Sequence, residues 1–308
     1  MKFLLYILCC FSIAYPQANK HTDDAMVKNK NCEYPKTKTK AIFSAPLSDS
    51  LKETSGLVFF DGLFWTHNDD HDTIIYGLDK SGKIKRKINL NKVVNHDWEE
   101  ITQDDSYLYI GDFGNNFSGN RKDLSILKIE KKSFLKQEPI IDTISFSYSK
   151  QSIISSQQPN KTEFDCEAFI ATKDSIYLFT KEWKTASTSL YALPNKTGHH
   201  VAQFKANWNC KGLITGATYM DKEQKIVLCG YTKTGSPFLY FLYDFEDHHF
   251  FSGCKKRIDL KLRFHQIESI STTDGNTFYL SNEALTRKPF LNIPQQWHVV
   301  ELKNQSEK

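Results

Sequence analysis

A short phrase recurs five times along this chain, and that recurrence constrains the fold more than any other feature. The copies read TSGLVFF (54–60), WEEITQ (98–103), CEAFIAT (166–172), TGATYM (215–220) and ESISTT (268–273). Each carries an oxygen-bearing side chain near its start, namely Ser55, Glu99, Glu167, Thr215 and Glu268, usually followed by a small residue and then an apolar one. A β-rich run comes next in every case: LFWTHND, YLYIGDF, IYLFTKEW, IVLCGY and FYLSNEA. The leading residues are separated by 44, 68, 48 and 53 residues, in or near the repeat length of a four-stranded propeller blade.

The sequence therefore predicts an all-β chain, a β-propeller of five four-stranded blades. Blade one reads SGLVFF, LFWTHND, IIYGLDK and KIKRKINL, with turns at Asp61-Gly62 and Ser81-Gly82. Blades two, three and four follow the same order. The fifth has only ESISTT, TFYLSNEA and WHVVELK, one strand short. AIFSAPL (41–47) is the natural donor of the missing strand, because closing the ring hides two otherwise unpaired edges. The 68-residue step leaves six blades as the alternative, but its excess is largely the polar segment SKQSIISSQQPNKTE, which reads better as an inserted loop.

The N-terminus carries FLLYILCCFSIA (3–14) after Met1 and Lys2, too short to span a bilayer and suited to a signal-peptide core. Residues 1–18 are read as a signal, with export to the periplasm or outside the cell. Lipid attachment through Cys9 or Cys10 is the alternative to plain cleavage after Ala14. Residues 19–40 are polar and read as a flexible leader, 41–303 as one propeller domain, and 304–308 as a polar tail. No transmembrane segment is expected, and the domain reads as a monomer. A net charge of +4 is small for 308 residues and the lysines are scattered, which excludes nucleic acid as an expected partner. Five cysteines follow the signal without zinc-site spacing; one or two disulfides can form, and Cys166 reads as a buried thiol.

The ring geometry dictates an electrostatic problem. The first strand of each blade lines the tunnel, so Glu99, Glu167 and Glu268 converge near the axis. Three carboxylates about 6 Å apart at an effective dielectric of about 20 repel by roughly 3 kcal/mol per pair. Such a cluster takes up protons or binds a cation. With the Ser55 and Thr215 hydroxyls it forms a set of hard oxygen donors, the chemistry of Ca²⁺. The competing reading has these side chains hydrogen-bonded to backbone amides at strand starts, never meeting at the axis.

The stretches TSGLVFFDGLFWTHNDDHDTIIYGLD and DWEEITQDDSYLYIGDFG resemble the calcium-activated nucleotidase (apyrase) family. The chain is also similar to exported bacterial β-propellers. The nucleotidase resemblance implies a five-bladed propeller with calcium in its central tunnel, held by side chains matching Ser55, Glu99, Glu167 and Glu268 in type; at Thr215 that family has Ser. Two departures bear on activity. The Asp/Gly-rich loop before the second-blade Glu is replaced by NLNKVVNHDWEE, and Asp69-Asp70 is followed by His71 instead of a basic residue.

Strand direction places the ends of the second strands on the rim where the first strands begin. His67, Asn68, Asp69, Asp97, Asp112, Lys181, Glu182, Tyr231 and Glu283 are therefore expected around the ion. Asp69 and Asp112 are the candidate general bases, and the others are candidate contacts for a ligand. Two functions follow. One is a propeller in which calcium braces the ring while the rim binds a small polar ligand, a glycan or a partner protein. The other is a calcium-dependent hydrolase of nucleoside di- or triphosphates or a related phosphoester.

Overall fold

The computed structural model describes Cys32, Tyr34 and residues 37–151 and 158–302; the signal-like run and most of the leader and tail lie outside them. The described chain is a β-propeller. Its strands fall into five four-stranded units, each starting at one copy of the recurring phrase. Blade one comprises Thr54–Phe60, Leu63–Asn68, Ile74–Leu78 and Ile84–Asn89; blade two Trp98–Gln103, Tyr107–Asp112, Ser125–Glu130 and Ile141–Tyr148. Blade three comprises Cys166–Ala171, Ser175–Thr180, Thr188–Pro194 and Gly198–Trp208; blade four Leu213–Met220, Lys225–Tyr231, Pro237–Tyr243 and Cys254–Leu260. Each first strand packs against the next, and that of blade five packs back against that of blade one.

Alternation along each strand sends apolar side chains into the gaps between blades, so the core is divided among the interfaces. Trp65 and Phe134 meet Trp98 and Ile110 between blades one and two, and Phe113 meets Phe169 between two and three. Phe179 and Phe238 share the next interface, Leu239 and Phe278 the one after. Phe64 closes the circle against Tyr279 and Trp297, with ring centroids 4.2 and 5.3 Å away. Trp65, Trp98 and Trp297 are fully buried, which makes them interblade packing.

Blade five is Ile267–Thr272, Thr277–Asn282 and Gln296–Glu301, completed by Phe43–Pro46 in antiparallel register from Phe43↔Val299 to Pro46↔Gln296. The N-terminal strand therefore closes the ring, as its missing partner required. His298 secures this closure from inside. Its Nδ1 is 2.7 Å from Ser44 Oγ and its Nε2 2.8 Å from Asn282 Oδ1. Because the Asn282 amide nitrogen donates to Glu283 and Pro294 carbonyls, its oxygen accepts from His298 Nε2–H and Ser44 donates to Nδ1.

Two features depart from the sequence reading. The outer strands of blades two and three pair in parallel, from Ile144↔Gly198 to Tyr148↔Ala202, so the long step between these blades ends in a joint between their edges; among the described residues it forms no sixth blade. The end of the presumed leader is also ordered. Thr37–Thr39 adds a parallel fifth strand to Cys254–Leu260, fastened by a Cys32–Cys254 disulfide and a Tyr34–Tyr243 hydroxyl contact. Cys166, Cys210 and Cys229 are buried free thiols.

Candidate functional site

The five leading residues share a backbone device that the sequence did not reveal. In every blade the pairing of first and second strands slips at or just after that residue: between Ser55 and Val58, Trp98 and Glu100, Cys166 and Ala168, Ile214 and Gly216, and Ile267 and Ser269. A bulge leaves one residue out of the ladder and re-aims its side chain. Glu99, Glu167, Thr215 and Glu268 are the residues left out, whereas in blade one Ser55 still pairs with His67 and the slip falls on Gly56 and Leu57; all five leading residues are buried.

The residue after each bulge explains the small side chains in the phrase. Gly56 has φ +64°, and a Cβ there would lie 2.5 Å from Ile101 N, so the first strands of blades one and two meet too closely for any side chain. Blade two instead places Glu100 at this position. Its Oε1 accepts from Leu57 N and Ile101 N at 3.2 and 3.0 Å, and its Oε2 from Ala217 N at 2.8 Å. This buried carboxylate ties blades one, two and four together across the axis. Burial raises its pKa, opposed by the three amides. The sequence reading overlooked it, although the doubled Glu at 99–100 was the available signal.

At the mouth, a cavity of about 200 Å³ is lined by Ser55, Glu99, Glu167, Glu268, Asp69, Glu283 and Glu53 together with Lys181, Tyr231 and Trp183. Three of the five ring positions thus bring carboxylates together and Ser55 joins them. Thr215 does not line this cavity: its hydroxyl donates to Ile267 O at 2.5 Å. Ser55 donates similarly to Glu99 O at 2.5 Å. The two hydroxyls donate to backbone carbonyls of the next blade, whereas the glutamates line the cavity.

Lys181, at the end of a blade-three strand, is the internal cation of this site. Its Nζ lies 2.6 Å from Glu167 Oε2, with both side chains buried, and it sits 4.7 and 5.4 Å from the ring centroids of Trp183 and Tyr231. Burial would lower the ammonium pKa, but Glu167, Tyr231, Glu268 and Asp165 raise it well above the lysine norm. One ammonium faces six lining carboxylates. The excess is visible at Glu99, whose carboxylate receives no hydrogen bond from the described residues and lies within 4.8 Å of oxygens of Asp165 and Glu167. Burial, then Glu167, Asp97 and Asp165, push its pKa well up.

Asp165 is held by Asn115 N and Trp183 Nε1, both at 2.7 Å. Asp97 stands behind Glu99, its pKa raised to about 6 by burial and by Asp165; Gly114 is bare because a Cβ would fall 2.3 Å from both carboxylates. Across the cavity, Glu53, Asp69 and Glu283 form a second group with oxygens within 4.8 Å. Asp69 rises to about 8 through burial and Glu283, and its Oδ1 is buried without a partner. Glu283 rises to about 7, mainly through burial.

Of the remaining expected rim residues, Asp112, His67, Asn68 and Glu182 are engaged in contacts within the fold. Asp112 is clamped by Arg121 at 2.8 Å and His96 at 2.9 Å, away from the cavity, an arrangement that occupies it as an ion-pair partner. His67 is fully buried, its pKa lowered to about 4 by burial, with Nδ1 bonded to Asn68 O. Asn68 anchors its loop through Ser50 O and Asp72. Glu182 accepts from Ser189, Thr185 and Asn207 inside blade three. Tyr231 remains at the cavity, its hydroxyl accepting from Gln266 at 2.8 Å.

The comparisons with known proteins add little to this geometry. No protein-family model matches the chain, and no curated protein matches it. Among solved structures, the chain is similar to one described as a streptogramin B lyase structure, at TM-score 0.42 and 9% identity over 84% of this chain and 98% of that one. Another is a mitotic checkpoint complex, at TM-score 0.41 and 9% identity over 97% and 99%. Similarity this low carries no argument about function, so the reading rests on the site. Among the described residues no helix is long and apolar enough to cross a membrane.

Proposed function

We propose that this propeller is an exported binding protein whose acidic mouth takes a calcium ion, around which a small polar ligand or a partner is held. The observation that carries this reading is the charge imbalance: six carboxylates and one lysine line a single cavity, and the buried Glu99 carboxylate receives no hydrogen bond from the described residues. Such a cluster needs a cation or protons. Its donors are all oxygens, which fits calcium and not a thiophilic metal. Glu99, Glu167, Glu268 and Ser55 would hold the ion; Lys181, already on Glu167, would compete with it. Export is supported by the N-terminal apolar run and by the Cys32–Cys254 disulfide.

Thermal unfolding with calcium and with chelator tests the reading. Free calcium at a hundredfold its dissociation constant should stabilise the protein by about 2.7 kcal/mol, and Glu99→Gln should shrink the shift while leaving the fold intact. An unchanged unfolding temperature would refute the cation site.

The second reading, hydrolysis of nucleoside di- or triphosphates, draws on one observation: Asp69 lines the cavity with a raised pKa and an unpartnered oxygen, as a general base requires. Against it, the cavity is smaller than the roughly 300–1,000 Å³ of typical ligand pockets, and its carboxylates repel phosphate. Calcium-dependent phosphate release from a nucleotide panel, abolished by Asp69→Asn, would establish this activity over simple binding.

A further inference from the structure

A second recess lies between blades four and five, on the rim opposite the acidic mouth. Strand direction fixes this placement, because the first strand of blade four ends at Met220, the second begins at Lys225, and the Gly275–Asn276 turn of blade five lies at the same level. The cavity is about 690 Å³, within the range that holds small-molecule ligands. Met220, Phe241, Ile258 and Leu302 supply apolar surface, and Ile42 stands 60% exposed at its wall. Lys38, Lys40, Lys225 and Lys256 surround this surface, against one lining carboxylate, Glu301. One wall is the added strand Thr37–Thr39, fixed through Cys32–Cys254.

We propose that this groove binds a long-chain carboxylate, with the acyl chain on the apolar surface and the headgroup among the lysines. Charge complementarity selects an anionic headgroup, since Lys38, Lys40 and Lys225 outnumber the one lining carboxylate, Glu301. A recess of about 690 Å³ lined by Met220, Phe241, Ile258 and Leu302 suits a single acyl chain. Strand addition by a peptide is disfavoured at this edge, because Thr37–Thr39 is three residues long and Lys38 and Lys40 blunt it. The site is independent of the acidic mouth and of any ion there.

Displacement of a fluorescent C16 fatty-acid probe, whose chain length we choose at about sixteen carbons to suit a pocket of this class, tests the proposal on the intact protein. Saturable binding with one probe per chain is expected. Lys38→Glu with Lys225→Glu should weaken it about tenfold, and Ile42→Glu should weaken it several-fold through the apolar wall. All three positions are exposed, so thermal unfolding should show intact folds. An alkyltrimethylammonium of equal chain length should compete poorly. No saturable binding, equal affinity in the variants, equal competition by the cationic chain, or binding to anionic vesicles without binding of the monomeric probe would each overturn the proposal.

Discussion

The two rims of the propeller solve opposite problems with the same blades. At the acidic mouth, the bulged residues Glu99, Glu167 and Glu268 line one cavity, so charge accumulates where the first strands converge and one lysine offsets it incompletely. At the groove between blades four and five, strands diverge, leaving a larger apolar recess ringed by lysines. The mouth is built by elements the repeat makes equivalent; the groove depends on a strand that only one blade possesses. A propeller thus separates a site made by symmetry from one made by an exception to it.

The strongest way to break that separation is to remove the exception. Replacing Cys32 and Cys254 together by Ser should cost about 2–4 kcal/mol in chemical denaturation, since the bridge closes a loop across most of the domain. It should weaken probe binding at the groove while the calcium response of the mouth persists. Loss of both responses would show the two rims to be coupled.

A smaller and opposite perturbation is Gly114→Ala. The added Cβ would collide with the Asp97 and Glu99 carboxylates, at a cost of about 1–3 kcal/mol for overpacking. Calcium binding should weaken and groove binding should not change. Equal calcium affinity by calorimetry would place the ion away from Glu99.

These contrasts also show what the residues made legible. Recurrence of the phrase gave the blade count, the inner strands and the closing strand, because each blade must repeat the same inward-facing pattern. The glutamates at 99, 167 and 268 were legible as a cluster for the same reason. Thr215 was not distinguishable from Ser55, since both hydroxyls bond a carbonyl of the next blade and only three-dimensional placement shows that Ser55 lines the cavity and Thr215 does not. Asp112 looked like a base because its partner Arg121 lies in a loop whose path no pattern encodes. The Thr37–Thr39 strand was hidden by its lysines and threonines, a composition that reads as solvated chain until a disulfide holds it to blade four.

Proton uptake offers the gentlest test. Burial raises Asp69 to about 8, Glu283 to about 7 and Asp97 to about 6, so the folded state binds more protons than the unfolded one. Stability from these groups is present at low pH and is lost as pH rises through the folded values. His67 and His298, lowered to about 4 and 3 by burial, act the other way, losing stability as pH falls below about 6.5. Above that pH only the carboxylates contribute, so metal-free stability should decline between about pH 6.5 and 8. Saturating calcium should flatten the decline; a metal-free stability that rises across this window would contradict the electrostatic account.

If the acidic mouth takes calcium, Lys181 and the ion compete for the same carboxylates, so replacing Lys181 is the sharpest probe of the site. Lys181→Met leaves the buried carboxylates without their cation and should cost about 3–5 kcal/mol in chelator. Unfolding of wild type and variant should then be measured across a calcium titration. The variant should bind calcium more tightly than wild type and recover most of its lost stability at saturation. A variant that stays destabilised at every calcium concentration, with wild type equally unresponsive, would contradict the calcium site.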